Sequence, residues 1–159
     1  MERITLDTNC LLEVVTRKSK LHYIWEKILA GDIVLCVTTE ILCEYEEKLA
    51  IKSSPLIAKR VMFQLENTAK IELITTYYRW NLIKADPDDN KFVDCAIAAN
   101  SRYIVSSDKH FKVLLEKDMW PKLNLKTLKE YHEHLYNKAH TLSGTSHRKT
   151  ARPRPRKKK

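Results

Sequence analysis

The sequence predicts an α/β fold, a three-layer α/β/α sandwich around a mostly parallel sheet. Two observations carry the prediction. Short runs rich in β-branched and aliphatic residues recur along the chain, and longer segments of helical periodicity lie between them with no internal repeat. A chain that alternates in this way buries its apolar faces by laying helices on both sides of a parallel sheet.

The elements follow in order. "RITL" (3–6) reads as the first strand, and the "DTN" after it is good turn chemistry. "LHYIWEKIL" sets Leu21, Ile24, Trp25, Ile28 and Leu29 on one helical face, and Gly31 supplies a stop. "IVLCV" (33–37) is the second strand. "TTEILCEYEEKLA" is a helix with Thr38 or Thr39 as N-cap ahead of Ile41, Leu42, Tyr45 and Leu49. "SSPLIAKRVMFQLENTA" begins with a Ser54 cap and Pro55 in the first helical position. "IELIT" (71–75) and "YIVSS" (103–107) are strands, with the helix "DDNKFVDCAIAAN" between them capped by Asp88 or Asp89. "LNLKT" (123–127) is a weaker strand, and "LKEYHEHLY" forms the last helix.

Composition narrows the class. A chain of 159 residues with 43% hydrophobic content supports one domain with a genuine core. The opening "MERITLDTNC" is too polar for a signal peptide, and no apolar stretch approaches the roughly 18 residues of a membrane span. The expected location is cytoplasmic, with no membrane partner. Cys10, Cys36, Cys43 and Cys95 form no C-x-x-C pair and read as buried thiols in a reducing compartment.

Charge is unevenly placed. The segment from Asn137 on, "NKAHTLSGTSHRKTARPRPRKKK", holds nine of the 29 Lys and Arg and no acid, so the rest carries twenty charges of each sign. The expected organisation is a formally neutral domain over 1–136 and a basic, disordered tail over 137–159. Such a tail attracts polyanions, nucleic acid among them, or serves only solubility.

In an open parallel sheet, ligands bind outside the carboxyl ends of the strands. Asp7 follows the first strand, Asp108 follows "YIVSS", and Glu44 lies on the helix after "IVLCV". Asp94 lies in the helix before the Asp108 strand, where "FVDCAIAA" gives it no polar face to join. Burying that carboxylate unpaired would cost several kcal/mol, about 2–7 even for a merely polar group, so it is expected to be metal-bound, paired with a buried Lys or Arg, or on a helix that lies at the domain edge. Each acid has a plainer role as well: turn residue for Asp7, N-cap for Asp108. Periodicity does not choose between Glu44 and Glu46, which flank the apolar arc of their helix on opposite sides.

The chain excludes several chemistries. With only Gly31 and Gly144, neither G-x-G-x-x-G nor a Walker loop can be written. Asn9 stands where a haloacid-dehalogenase-type phosphotransferase needs its second aspartate, and no nucleophile elbow is present.

Taken together, "LDTNCLLE", "TTEILCEYEEKL" and "DPDDNKFVDCAIAANSRYIVSSDKHF" resemble a PIN domain, and more narrowly the branch of toxin components of toxin–antitoxin modules. The resemblance covers about residues 3 to 130. It implies a metal-dependent endoribonuclease with Asp7, Glu44, Asp94 and Asp108 as metal-binding and catalytic acids. Thr8 and Asn9 match the small polar residues beside the first aspartate, and Ser107 the residue that often precedes the last. One departure stands out: the family often carries its third acid in the "DPDD" segment, where Asp86, Asp88 and Asp89 also lie, with Asn90 beside them. Asp88, Asp89 and Asn90 are therefore outer-shell candidates. The resemblance further implies an RNA substrate, a cognate antitoxin protein and a homodimer. The rival function is a PIN-like module that binds RNA or protein without cutting.

The residue types agree with this chemistry. Clustered carboxylates without a His or Cys set suit Mg2+ or Mn2+. Their mutual repulsion raises their pKa values until a cation relieves it. A bound cation activates water and neutralises charge developing on a phosphodiester, giving 5′-phosphate and 3′-hydroxyl products. Affinity for the RNA backbone would come from Lys91, Arg102 and Lys109, and from Arg152, Arg154 and Arg156 of the tail.

Overall fold

The computed structural model describes residues 1–67 and 70–144. The expected tail cations Arg152, Arg154 and Arg156 lie outside the described residues.

Five strands, β1 (Glu2–Leu6), β2 (Ile33–Val37), β3 (Ile71–Leu73), β4 (Tyr103–Val105) and β5 (Leu125–Lys126), form one sheet in the order β3-β2-β1-β4-β5. Every neighbouring pair is parallel, with Ile4 of β1 opposite Leu35 on one side and Tyr103 on the other. The helices are α1 (Thr8–Val15), α2 (His22–Leu29), α3 (Thr39–Lys52), α4 (Pro55–Glu66), α5 (Asn90–Ala98) and α6 (Leu128–Gly144), with 3₁₀ segments at Pro87–Asp89 and Lys109–Leu115.

The strands sit where their aliphatic runs place them because both faces of a parallel sheet are covered. On one face of β1, the Thr5 hydroxyl meets that of Ser101, just beyond α5, at 3.0 Å. On the other, Glu2 accepts a hydrogen bond from Tyr131 of α6 at 2.9 Å. The core between these layers includes Ile4, Leu6, Leu35, Val37, Tyr45, Phe92, Val105 and Phe111, all at most 1% exposed. Each such side chain contributes roughly 1.5–3 kcal/mol through burial.

The expected caps form: Thr38 Oγ1 accepts the Ile41 N–H at 3.2 Å, and Ser54 Oγ accepts the Ile57 N–H at 3.3 Å with Pro55 in the first turn. Gly31 ends the turn after α2 with φ 74°, where an added Cβ would lie 2.7 Å from Lys70 Cγ.

Several details differ from the sequence reading, among them β3 and β4, which end at Leu73 and Val105 rather than at Thr75 and Ser107. "DTN" opens helix α1 rather than a free turn, since Asp7 stays extended at φ −65° and ψ 148° and the helix starts at Thr8. The weak strand shortens to Leu125–Lys126. Helix α6 continues past the expected boundary at Asn137 to Gly144, its apolar stripe of Leu128, Tyr131 and Leu135 seating it on the core and Lys138 reaching to 3.8 Å from Glu2. Cys43 is exposed on α3, unlike the three buried thiols, because its side of the helix faces away from the core.

Candidate active site

The carboxyl ends of β1, β2 and β4 open onto one edge of the sheet, and acids from four segments gather there. Asp7 follows β1 directly, its backbone N–H tied to the Val105 carbonyl of β4 at 3.0 Å. Although only 4% exposed, it forms no ion pair with a Lys, Arg or His among the described residues. Ser106 Oγ donates to Asp7 Oδ2 at 3.0 Å and accepts the Asp108 N–H at 3.1 Å, so one buried hydroxyl sets both aspartates. Asp108 in turn accepts the His110 N–H at 2.8 Å and caps the 3₁₀ segment.

Glu44 arrives from α3. Tyr45, fully buried beside it, donates to the Leu6 carbonyl and clamps the helix against the end of β1. Thr8 Oγ1 donates to Glu44 Oε1 at 2.6 Å, and the Lys91 ammonium lies 2.5 Å from Glu44 Oε2. Glu46 is exposed, so the helix presents Glu44 to the site.

Asp89, at the start of α5, also meets the charges of Asp7 and Asp108, whereas Asp94 meets the Trp80 N–H. Burial, reinforced by the charges of Asp86, Asp7 and Asp108, pushes the Asp89 carboxyl up to about 7, with His110 opposing. Burial likewise pushes Asp7 up to about 6; the Ser106 hydroxyl and the Asn9 N–H oppose the rise, and Asp108 and Glu44 add to it. Asp94 is buried as its apolar surroundings required, but it is compensated elsewhere. It accepts the Trp80 N–H at 3.0 Å. Burial raises its pKa, this hydrogen bond and Arg79 oppose the rise, and Glu40 adds to it. It lines a cavity of about 440 Å³ with Arg79, Asn81, Asp86 and Lys91.

The remaining candidates fall into place around this cluster. Thr8 is a buried positioning group for Glu44, whereas the Asn9 side chain is exposed. Asn90 spends its whole amide inside the fold, accepting from Ile83 N–H at 2.9 Å and donating to the Ile83 and Pro87 carbonyls at 2.8 and 3.0 Å. Asp88 is 80% exposed and pairs with Lys91 at 2.8 Å. Burial works against the charge on Lys91, but Asp88 and Glu44 hold it protonated, so this lysine serves two carboxylates. Ser107 turns away and accepts the Leu128 N–H at 3.3 Å, leaving Ser106 as the serine of the site. Arg102 precedes β4 at the opposite edge of the sheet, 3.6 Å from Glu2, whereas Lys109 is exposed beside Asp108.

His110 offers no decisive clue in the sequence, and Ser106 escaped the sequence reading. His110 Nδ1 lies 3.3 Å from Asp108 Oδ1 and 3.8 Å from both Asp86 Oδ2 and Asp89 Oδ2. Buried His110 Nδ1 and Asp89 Oδ2 each lack a hydrogen bond within the protein. One ligand atom from each of Asp86, Asp89 and His110 falls within 4.8 Å of the others. Unsatisfied buried acceptors beside repelling carboxylates fit a cation, and a set of oxygens with one imidazole suits Mg2+, Mn2+ or a neighbouring first-row ion.

The family model described as PIN domain matches residues 3–110. Solved structures share the fold. VapBC2 from Rickettsia felis, bound to a DNA fragment from its promoter, aligns at TM-score 0.56 and 17% identity over 79% of this chain and 98% of that chain. VapBC-1 from nontypeable Haemophilus influenzae aligns at 0.55 and 14% over 80% and 98%. The T. brucei RRP44 PIN domain aligns at 0.51 and 12% over 91% and 88%. No curated protein matches the sequence. No helix among the described residues is long and apolar enough to cross a membrane.

Proposed function

The chain belongs to the PIN-domain family, and from that premise we propose that its acidic edge is the active centre of a metal-dependent endoribonuclease. The observation that carries the reading is the gathering of Asp7, Glu44, Asp89 and Asp108 at the carboxyl end of the sheet, with Asp7 and Asp89 pushed up to about 6 and 7. Carboxylates so perturbed, with only the His110 imidazole near Asp89 to oppose the rise, mark a site built for something other than stability.

In this reading Asp7, Asp89 and Asp108 hold the cation, with Glu44 beside them and Asp86 and His110 completing the rim. Bound there, Mg2+ or Mn2+ would supply charge neutralisation at a phosphodiester and activate water for its hydrolysis. The protein's own contribution is placement. Ser106 fixes Asp7 and Asp108 in one register, and Thr8 with Lys91 holds Glu44 at the margin. Asp94 acts through the segment it anchors, by way of the Trp80 N–H. The basic tail adds RNA affinity through Arg152, Arg154 and Arg156. The structural likeness to VapBC complexes supports a role as the toxin of a toxin–antitoxin pair, with an antitoxin protein as partner and a second copy of the chain as a further one.

The test is Mg2+- or Mn2+-dependent cleavage of single-stranded RNA. Asp7→Asn, Asp89→Asn and Asp108→Asn should each lower the rate roughly 100-fold or more, since each removes charge aimed at the reacting phosphate. Asp94→Asn should cost far less. An inactive Asp94→Asn beside an active Asp89→Asn would return the fourth acid to Asp94, and a wild type that cuts no RNA with either metal would leave a binding module.

A further inference from the structure

Beyond β3 the chain runs over the carboxyl side of the sheet without regular structure and displays aromatic rings. Tyr78 and Trp80 meet edge to face at 4.9 Å, and Trp80 meets Trp120, from the segment before β5, at 5.6 Å. Tyr78 is 65% exposed and Trp120 71%, a high cost for large rings with no packing role.

The ladder adjoins the acidic edge. Trp80 is tied through its backbone to Asp94, and Arg79 lines the cavity that also contains Asp86, a member of the acidic cluster. Rings, one guanidinium and a polar cavity leading to carboxylates make up the kind of surface on which successive bases stack while a backbone is led past. Other exposed apolar side chains, Ile51 of α3 and Leu56, Ile57 and Phe63 of α4, are mostly aliphatic and offer no comparable set of rings.

We propose that Tyr78, Trp80 and Trp120 form a base-stacking platform that holds single-stranded RNA beside the acidic edge, with the strand running along the Arg79–Asp86 cavity. The inference rests on the nuclease reading for the identity of its ligand, but its test does not require cleavage. The full chain is titrated in EDTA with a 12-nucleotide fluorescein-labelled oligo(rA) and with the same oligomer carrying abasic riboses. Anisotropy reports binding, and tryptophan emission reports stacking, since Trp25 is buried while Trp120 is exposed.

The intact oligomer should bind roughly tenfold or more tightly than the abasic one and quench emission, because stacking is sequence-tolerant but needs a base. Contacts from the basic tail see the same phosphates in both oligomers and cancel. Trp120→Ala and Tyr78→Ala should each erase most of the difference, while Trp120→Phe and Tyr78→Phe retain it. Equal binding of the two oligomers by wild type overturns the platform, as do alanine variants that keep the full difference. Alanine variants that keep it and instead lose a purified protein partner overturn it in favour of a protein-docking surface. Cleavage by wild type without a base-dependent difference would sink the platform alone. A base-dependent difference without cleavage by any metal would uphold the platform and sink the nuclease reading.

Discussion

Strand β1 carries a buried carboxylate at each end, and the two have opposite surroundings. Glu2, 3% exposed at the amino edge, is met by the Tyr131 hydroxyl at 2.9 Å, His134 Nε2 at 3.1 Å, Arg102 at 3.6 Å and Lys138 at 3.8 Å. Burial alone would raise its pKa, but hydrogen bonds from His134 and Tyr131 and the nearby positive charge override it and hold the carboxyl below its usual range. Asp7, 4% exposed at the carboxyl edge, meets a hydroxyl and other carboxylates, and rises to about 6. Similar burial thus has opposite consequences. One acid fastens α6 to the sheet, and the other sits among like charges that a proton or a cation relieves. Burial of a charge therefore does not mark function; what surrounds it does.

The largest effect should come from breaking the satisfied end. Glu2→Ala strands the buried Tyr131 hydroxyl and leaves His134 without its acceptor, while the half-exposed Arg102 and Lys138 return to water. The expected loss is on the order of 3 kcal/mol, roughly 10 °C in thermal melting. Glu2→Gln, which keeps an acceptor for Tyr131, should lose much less. Metal binding by the protein that remains folded should be unchanged, because the acidic edge lies at the other end of the strand. A Glu2→Ala protein that melts with wild type would mean that the network fastens nothing.

Removing charge from the other end should act in the opposite direction. Asp89 and Asp7 titrate near 7 and 6 in the folded chain, against 3.8 when unperturbed. A raised carboxyl means that the folded state binds the proton more tightly than the unfolded one, so ionisation destabilises the fold. That cost is fully present above pH 7 and disappears as the pH falls toward 4. Without metal, wild type should therefore melt higher at pH 5 than at pH 7.5. Glu2 has the reverse linkage: its stabilisation is present above its unperturbed 4.5 and fades as the pH falls through its lowered pKa, setting the acid limit of the gain. Asp89→Asn should raise metal-free stability at pH 7.5 by about 1–3 kcal/mol and flatten the slope between pH 5 and 7.5. It should also lose most of the stabilisation that Mn2+ gives wild type. Melting curves against pH, with EDTA and with Mn2+, check all three.

The same contrast explains what the sequence could disclose. The sheet was legible because "RITL", "IVLCV" and "YIVSS" are aliphatic runs whose parallel pairing needs both faces covered. Asp94 was legible as an anomaly, a carboxylate with no polar face. Its partner, however, is the Trp80 N–H, fourteen residues away in an irregular segment that no periodicity predicts. Asp89 gave the converse difficulty. It stands in the polar stretch "DPDD", where one acid more draws no attention, and only the packing of α5 beside β1 and β4 brings it to Asp7 and Asp108. Ser106 and Ser107 are alike in sequence; the end of β4 turns Ser106 inward and sends Ser107 toward α6. Short helix α1 was hidden because "DTN" after a strand reads equally as a turn and as the N-cap of a helix, where the cap residue is normally extended.

The smallest effect should separate Glu44 from Glu46. Glu44 is partly neutralised already, with Thr8 donating at 2.6 Å and Lys91 at 2.5 Å, so it is intermediate between the satisfied Glu2 and the unrelieved Asp7. Glu44→Gln keeps an acceptor for Thr8 and leaves Lys91 paired with Asp88 at 2.8 Å, its positive charge no longer balanced by Glu44. Metal-free stability should then change by less than about 1 kcal/mol, because the lost ion pair is offset by reduced repulsion on Asp7. Mn2+ affinity should fall by a modest factor, read as a smaller metal-induced rise in melting temperature than in wild type but a larger one than in Asp89→Asn. Glu46→Gln, on the exposed side of α3, should leave both quantities unchanged. Equal responses from the two variants would place Glu44 with Glu2, as an acid whose only work is to be paired.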